Sequence, residues 1–323
     1  MKLLEVKNLQ TFFKISQGVV KAVDGVSFDL DYGETLGLVG ESGCGKTTSA
    51  LSIAQLLPKE GKIVGGEIWL EGKDLAKLSD EQMQAYRWND ISIVFQGAMN
   101  ALNPVMRIGD QIAEAMVLHQ KLNRQEALDR ASKLLEMMEI PGERIRQYPH
   151  EFSGGMKQRV MIAMALACNP KIIIGDEPTT ALDVMVQAQI LNIIEKIQKE
   201  FNMGFILITH DLSILAETCD TIAVMYAGKI VEKASSEDLF RHTAHPYTKK
   251  LINSFPNIEG EKAIPAGIPG VPPNMLELPP GCPFWPRCEC AGDNCREELP
   301  AGVEIAPGHY VACHRWEEIL NES

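Results

Sequence analysis

Residues 3–9 (LLEVKNL) and 22–30 (AVDGVSFDL) alternate apolar and polar positions, the period-two pattern of strands with one face in a core and the other in water. Phe12, Phe13 and the Gln17-Gly18 turn lie between them. Residues 35–39 (TLGLV) form a short apolar run, as suits a strand buried on both faces. Residues 66–70 (GEIWL) and 91–95 (ISIVF) predict two more strands, the second buried and ending at Gln96. From 97 to 149 the strand signals stop. Apolar residues recur there at helical spacing over 108–119 and 124–138, so a helical insertion within an α/β core is expected. A helix rich in Ala and Met follows 152–160 (FSGGMKQRV). Residues 171–177 (KIIIGDE) predict a buried strand ending in two carboxylates. Residues 186–198 predict an amphipathic helix with Ile190, Ile193, Ile194 and Ile197 on one face. A further core strand, 204–209 (GFILIT), delivers His210 and Asp211 at its end, and 221–226 with 228–231 close the sheet.

Past residue 255 the composition shifts. Nine of the eighteen prolines fall between Pro256 and Pro286, too many for a helix or a central strand. Residues 257–280 are therefore expected to be an extended surface linker, dividing a domain over 1–255 from a small extension over 256–323. Five of the eight cysteines lie in the last 42 residues, which favours metal chemistry over disulfides. With 323 residues the chain can bury a sizeable core, and its net charge of −12 argues against a general nucleic-acid binder. The longest obvious apolar run, 160–168, is half of the roughly 18 residues that suggest a membrane helix. The N-terminus, MKLLEVKNLQ, has no signal-peptide apolar core. The expected location is the cytosol, or a membrane reached only through a partner.

Chemistry concentrates first at residues 40–48, GESGCGKTT, which fit the phosphate-loop pattern G-x-x-x-x-G-K-[ST]. Glycine at 40, 43 and 45 lets backbone N–H groups point inward at a phosphate, an arrangement that side chains would obstruct. Gly40, Glu41, Ser42, Gly43, Cys44, Gly45, Lys46, Thr47 and Thr48 are the expected phosphate-binding residues. Lys46 would neutralise β/γ oxygens, and the Thr47 hydroxyl is a hard oxygen ligand suited to Mg²⁺. A strand before the loop and a helix after it, with its N-terminus toward the phosphates, complete the context. Strand-end acids are the second signal. In a phosphate-loop protein Asp176 is placed to hold Mg²⁺ and Glu177 to accept a proton from an attacking water. An aromatic ahead of the loop, Phe12 or Phe13, could stack on adenine or simply fill the core.

The phosphate loop, Gln96, Ser153-Gly154-Gly155 with Lys157-Gln158-Arg159, residues 172–183 (IIIGDEPTTALD) and His210 occur in one order along the chain. That ordered set resembles the ATP-binding-cassette (ABC) ATPases over about residues 3–251. The resemblance implies an α/β phosphate-loop NTPase of the ABC ATPase fold. That fold has a RecA-like parallel-sheet core, an antiparallel β subdomain, a helical subdomain at about 97–160, and a head-to-tail ATPase dimer. It also implies that Gln96 contacts Mg²⁺ and the attacking water, and that Ser153 and Gly155 reach the γ-phosphate of ATP on the other subunit. Glu177 would be the general base, His210 the γ-phosphate sensor, Asp183 the acid of a dimer-crossing loop, and Phe13 the adenine-stacking ring. Two positions depart from the pattern. Met156 stands where the family often has Gln, without affecting the phosphate contacts, and Gly175 makes room for packing in the apolar strand.

Residues 95–104 (FQGAMNALNP), 178–191 (PTTALDVMVQAQIL), 245–252 (HPYTKKLI), 281–295 (GCPFWPRCECAGDNC) and 311–314 (VACH) resemble a narrower group, the importers of dipeptides and oligopeptides, which includes nickel importers. Such an ATPase would sit peripherally on the cytoplasmic face of a prokaryotic plasma membrane. It would dock onto two permease subunits beside a second related ATPase or a second copy of itself, with an extracytoplasmic binding protein choosing the solute. Residues 97–106, with Met99, Leu102 and Met106 read as exposed, are the expected permease contact. In the tail, Cys282, Cys288, Cys295 and Cys313 have the intervals seen in those importers, and four thiolates suit a [4Fe–4S] cluster. Cys290 is then surplus. Zn²⁺ is the alternative, although the C-x₂-C pair common in zinc sites is absent. His309 and His314 are further candidate ligands, His245 is read as capping or packing, and Cys44, Cys168 and Cys219 as small structural residues. The competing functions are a redox-coupled ATPase and a soluble ABC protein of repair or translation. The first is disfavoured because the cysteines lie past a Pro-rich linker, away from the nucleotide motifs. The second is disfavoured because neither a second cassette nor a long coiled-coil insertion is present.

Overall fold

The computed structural model describes residues 2–97, 101–180, 182–254 and 267–321. Contacts divide the chain into two compact units at places other than the 255/256 boundary. One unit joins 1–30, 36–77 and 209–323; the other joins 31–35 and 78–208. The tail therefore belongs to the same unit as the phosphate loop.

In the first unit, β1 (Leu4–Ile15) pairs antiparallel with β2 (Gly18–Leu30). The alternation legible in the sequence buries Leu4, Val6 and Leu9 of β1 together with Val26 and Phe28 of β2, Val6 opposite Phe28 and Leu9 opposite Val26. All five residues of β3 (Thr35–Val39) are buried, as its apolar run requires. The phosphate loop follows it, and then the helix Lys46–Ile53. On the other edge of β1 lie β4 (Gly61–Leu70) and β5 (Lys73–Asp74), giving the order β2-β1-β4-β5.

The second unit holds a parallel core. Here β6 (Ile91–Val94), β7 (Ile172–Asp176) and β8 (Gly204–Ile208) pair in the order β8-β7-β6. The helical insertion contains Ile108–Gln120 and Arg124–Met137, the latter started by a capping box between Asn123 and Glu126. Its apolar face buries Ala127, Ala131, Leu134 and Leu135. The helix Val184–Phe201 buries Ile190, Ile193, Ile194 and Ile197, each burial being favourable by about 1.5–3 kcal/mol. Gly175 earns its place by packing: a Cβ there would meet Pro178 and Phe205 at 3.0 and 3.1 Å. The expected permease-contact segment differs from its reading. Met99 lies outside the described residues. Leu102 is buried, next to a turn that Gln111 closes by accepting from the Asn103 N–H (2.8 Å) and donating to the carbonyls of Asn103 and Met106 (both 3.0 Å). Met106 is half-buried, and Val105, at 81% exposure, faces solvent.

The chain re-enters the first unit at 209. There β9 (Thr221–Tyr226) runs parallel to β3 and antiparallel to β10 (Lys229–Ser235). The tail then supplies β11 (Val303–Ala306) and β12 (His309–Val311), and β12 pairs antiparallel with β10. Glu232 anchors that junction. Fully buried, it accepts from the N–H groups of Ala244 (2.6 Å) and His245 (3.1 Å) and pairs with His309 Nε2 at 3.0 Å. The described part of the expected linker, 267–280, contains neither helix nor strand.

Candidate functional site

The phosphate loop depends on glycine at two positions. Gly40 (φ 151°) and Gly45 (φ 109°) hold conformations that side-chain-bearing residues rarely adopt. A Cβ at Gly40 would meet the Met225 carbonyl oxygen, and one at Gly45 the Ala22 carbonyl oxygen. Lys46 opens the following helix, and its Nζ turns back to donate to the carbonyls of Gly40 (2.7 Å) and Glu41 (3.1 Å). The loop's own carbonyls thus hold its cation. Thr47 is exposed and Thr48 half-buried, while Cys44 is buried. Burial pushes the Cys44 thiol up in pKa, against the pull of the Lys46 charge. Ser42 and Gly43 are exposed, and a Cβ at Gly43 would meet nothing within 4 Å. Phe13, half-buried on β1, lies so close to Gly61 that a Cβ at 61 would come within 2.8 Å of its ring. His210 is exposed.

In the second unit the sequence-distant Gln96 and Glu177 meet. Gln96 Nε2 donates to Glu177 Oε2 at 2.7 Å, and Thr180 Oγ1 donates to the same oxygen at 2.9 Å. Glu177 stands at φ 50°, a left-handed conformation costing about 1–3 kcal/mol in a non-glycine residue, and its N–H is tied to the Ile208 carbonyl at 2.8 Å. Asp176, the last residue of β7, is 5% exposed. Ser153 caps the helix Gly154–Ala165 by accepting from the Met156 N–H, and Asp183 caps Val184–Phe201 by accepting from the Val186 N–H. A Cβ at Gly155 would come within 2.6 Å of Val186, so glycine brings these two helix starts together. Sequence reasoning missed Thr180. Its only signal was a hydroxyl three residues past the proposed base.

Five tail cysteines, 282, 288, 290, 295 and 313, line one small cavity of about 20 Å³ together with His245, Trp285 and His314. Burial raises the Cys282 thiol and pushes Cys288 up to about 11 and Cys313 to about 12. Among the described residues no group of three or more His, Cys, Asp or Glu side chains is placed to hold a metal ion. His309 is committed to Glu232, His314 Nε2 lies 3.0 Å from the Glu298 carbonyl, and His245 Nδ1 accepts from the Tyr247 N–H at 3.0 Å. Nor is the tail remote from the nucleotide motifs. Arg287, one residue before Cys288, forms a two-point ion pair with Glu41 of the phosphate loop. A second cavity of this unit, about 670 Å³, lies among β2, β10 and the tail. Its charges pair with each other, Lys229 with Asp24 at 3.1 Å and Lys233 with Asp29 at 3.0 Å.

The family model described as ABC transporter matches residues 23–180, and that of the oligopeptide/dipeptide transporter C-terminal region matches 231–295. Among solved structures, the dimeric post-hydrolysis state of the ATP-binding cassette MJ0796, bound to ADP and Pi, aligns with a TM-score of 0.65 and 27% identity. The alignment covers 72% of this chain and 98% of that one. Fold and motifs together define an ABC-type ATP hydrolase. A probable peptide ABC transporter ATP-binding protein of Sinorhizobium fredii is 49% identical, covering 99% of this chain and 96% of the relative. The dipeptide transport ATP-binding protein DppD of Bacillus subtilis is 47% identical, covering 97% and 94%. The chain belongs to the oligopeptide/dipeptide family of ABC transporter ATPases.

Proposed function

We propose that this chain is the ATP-hydrolysing subunit that energises import of dipeptides and oligopeptides through a membrane permease. The observation that carries the reading is its likeness to peptide-transport ATPases along nearly the whole chain, tail included. Residues 40–48 bind the phosphates of ATP, with Phe13 against adenine. Thr47, Gln96 and Asp176 would hold Mg²⁺, which when bound neutralises phosphate charge. Glu177 takes the proton of the water that attacks the γ-phosphorus. The new P–O bond forms as the bond to the β–γ bridging oxygen breaks, and ADP leaves with the electron pair. The Gln96 and Thr180 hydrogen bonds support this role by aiming the carboxylate. His210 touches the γ-phosphate, while Ser153, Gly155 and Asp183 act across a dimer with a second ATPase subunit or another copy of this chain.

Two permease subunits receive the chain at the cytoplasmic face of the membrane, and a separate extracytoplasmic protein selects the peptide. No helix among the described residues is long and apolar enough to cross a membrane, in keeping with a peripheral subunit. Cys282, Cys288, Cys295 and Cys313 hold a [4Fe–4S] cluster, or Zn²⁺ on the same thiolates. Their lining of one cavity supports this, although ligation requires the thiols to lose protons and the sulfurs to draw together. Anaerobically purified protein should carry iron and a visible absorption that Cys288→Ser bleaches and Cys290→Ser does not. Stoichiometric zinc without iron would assign the site to Zn²⁺. The transport reading is tested by reconstituting the chain with its permease in vesicles. ATP-dependent peptide uptake is expected, and uptake that proceeds equally with an inactive ATPase would overturn it.

A further inference from the structure

Glu41 is gripped at each of its polar groups. Its carboxylate takes Arg287 Nη1 at 2.6 Å and Nη2 at 2.9 Å. Its N–H donates to Tyr247 Oη at 2.9 Å, and its carbonyl accepts from Lys46 Nζ at 3.1 Å. The same residue thus touches the tail on one side and the loop's phosphate-binding cation on the other.

Arg287 is built for that place. Its side chain is 5% exposed, and all five of its N–H donors are used. Besides Glu41 they reach Tyr226 Oη (3.2 Å) and the carbonyls of Ile268 (3.2 Å) and Pro269 (2.8 Å). Tyr226, Tyr247 and Phe284 surround the pair, each at most 2% exposed, with ring centroids 4.6–5.3 Å apart. Lysine could not reproduce this planar fork. Few surface ion pairs have such support; most contribute little.

We propose that Arg287 is a positioning residue for nucleotide binding: it fixes Glu41, and through the Glu41 carbonyl the Lys46 ammonium, so that ATP affinity depends on the tail. The inference rests on the phosphate loop holding ATP. Lys46→Ala tests that premise separately, because it should lose nucleotide binding whatever Arg287 does.

The experiment uses the full chain and measures MgATP binding by calorimetry, steady-state ATPase kinetics, and thermal unfolding. Arg287→Ala should weaken MgATP binding by about tenfold, the loss expected for a buried charge-assisted contact. KM should rise with kcat nearly unchanged, and Arg287→Lys should recover only part of the affinity. Glu41→Ala combined with Arg287→Ala should bind no more weakly than the worse single variant, because both remove one link. An Arg287→Ala protein whose affinity stays within about twofold of wild type, even with a lowered Tm, would reduce the contact to a tail fastening and overturn the proposal. Affinity losses that add in the double variant would do the same. If Arg287→Ala does not fold, Arg287→Gln, which removes the charge and the two-point fork but keeps an amide donor, carries the same expected loss of affinity and the same reversal.

Discussion

Glu41 and Glu177 both stand in nucleotide motifs, one in each unit, and they are held in opposite ways. Glu41 faces a guanidinium that grips both carboxylate oxygens and has no donor left over. Glu177 faces two neutral donors on one oxygen, an amide and a hydroxyl. Charge-assisted bonds are roughly twice as strong as neutral ones and fix geometry more tightly. The first arrangement makes a strut, and the second aims a carboxylate, as the proposed role of Glu177 toward a water requires. Two identical side chains are thus held for different proposed roles, one as scaffold and one for chemistry.

Glu177→Gln gives that contrast its largest test. It should lower kcat by about 10²–10⁴, equivalent to roughly 3–5 kcal/mol, with MgATP affinity retained. Glu41→Gln should instead act on KM. If it lowered kcat as far with KM constant, the division between the two glutamates would collapse. Next comes Gly45→Ala, which puts a Cβ against the Ala22 carbonyl at a positive φ and should destabilise the fold by about 1–3 kcal/mol in urea unfolding, with weakened ADP binding.

One unit below pH 6.5, an acid effect on the Glu41 side is of similar or smaller size. Burial lowers the His245 pKa from 6.5 to about 3, so the unfolded chain binds more protons between those values. Stability from this group is therefore full above pH 6.5 and falls as pH drops toward 3, by up to about 1.4 kcal/mol per pH unit. His245→Asn keeps a cap acceptor for Tyr247 but should lack this increment, read as the difference between two unfolding-versus-pH curves. Parallel curves would mean that the imidazole protonates in the folded state at its ordinary pH. Thr180→Val is expected to be the mildest, a loss of about 1 kcal/mol or fivefold in kcat from one neutral hydrogen bond. An effect equal to that of Glu177→Gln would make the hydroxyl a participant rather than an aid to aim.

The sequence carried much of this because the relevant signals are local. Residues 35–39 and 221–226 coincide with β3 and β9, and the two insertion helices fall within one or two residues of their expected ends. Periodicity and the glycine pattern suffice for such elements. The tail was opaque for the opposite reason. Arg287 and Glu41 are separated by 246 positions, and nothing in PRC or GES says that they meet. Nor do the three residues of β12 alternate long enough to announce a strand that pairs with β10. Leu102 misled because apolar residues in an irregular segment look exposed until a side chain such as Gln111 closes a turn beside them. Roles that depend on long-range pairing were legible as residue types and not as contacts.

The Glu232 junction means that covalent continuity is not what keeps the tail in place. A peptide bond cut anywhere between 255 and 266 would leave two fragments joined by the β12–β10 ladder, the His309–Glu232 pair and the Arg287–Glu41 bridge. They should co-elute on gel filtration and separate only in denaturant. Removing the tail outright would do something quite different. It would strip the partner from β10 and bare a row of unpaired backbone groups, the kind of edge on which chains stack into aggregates.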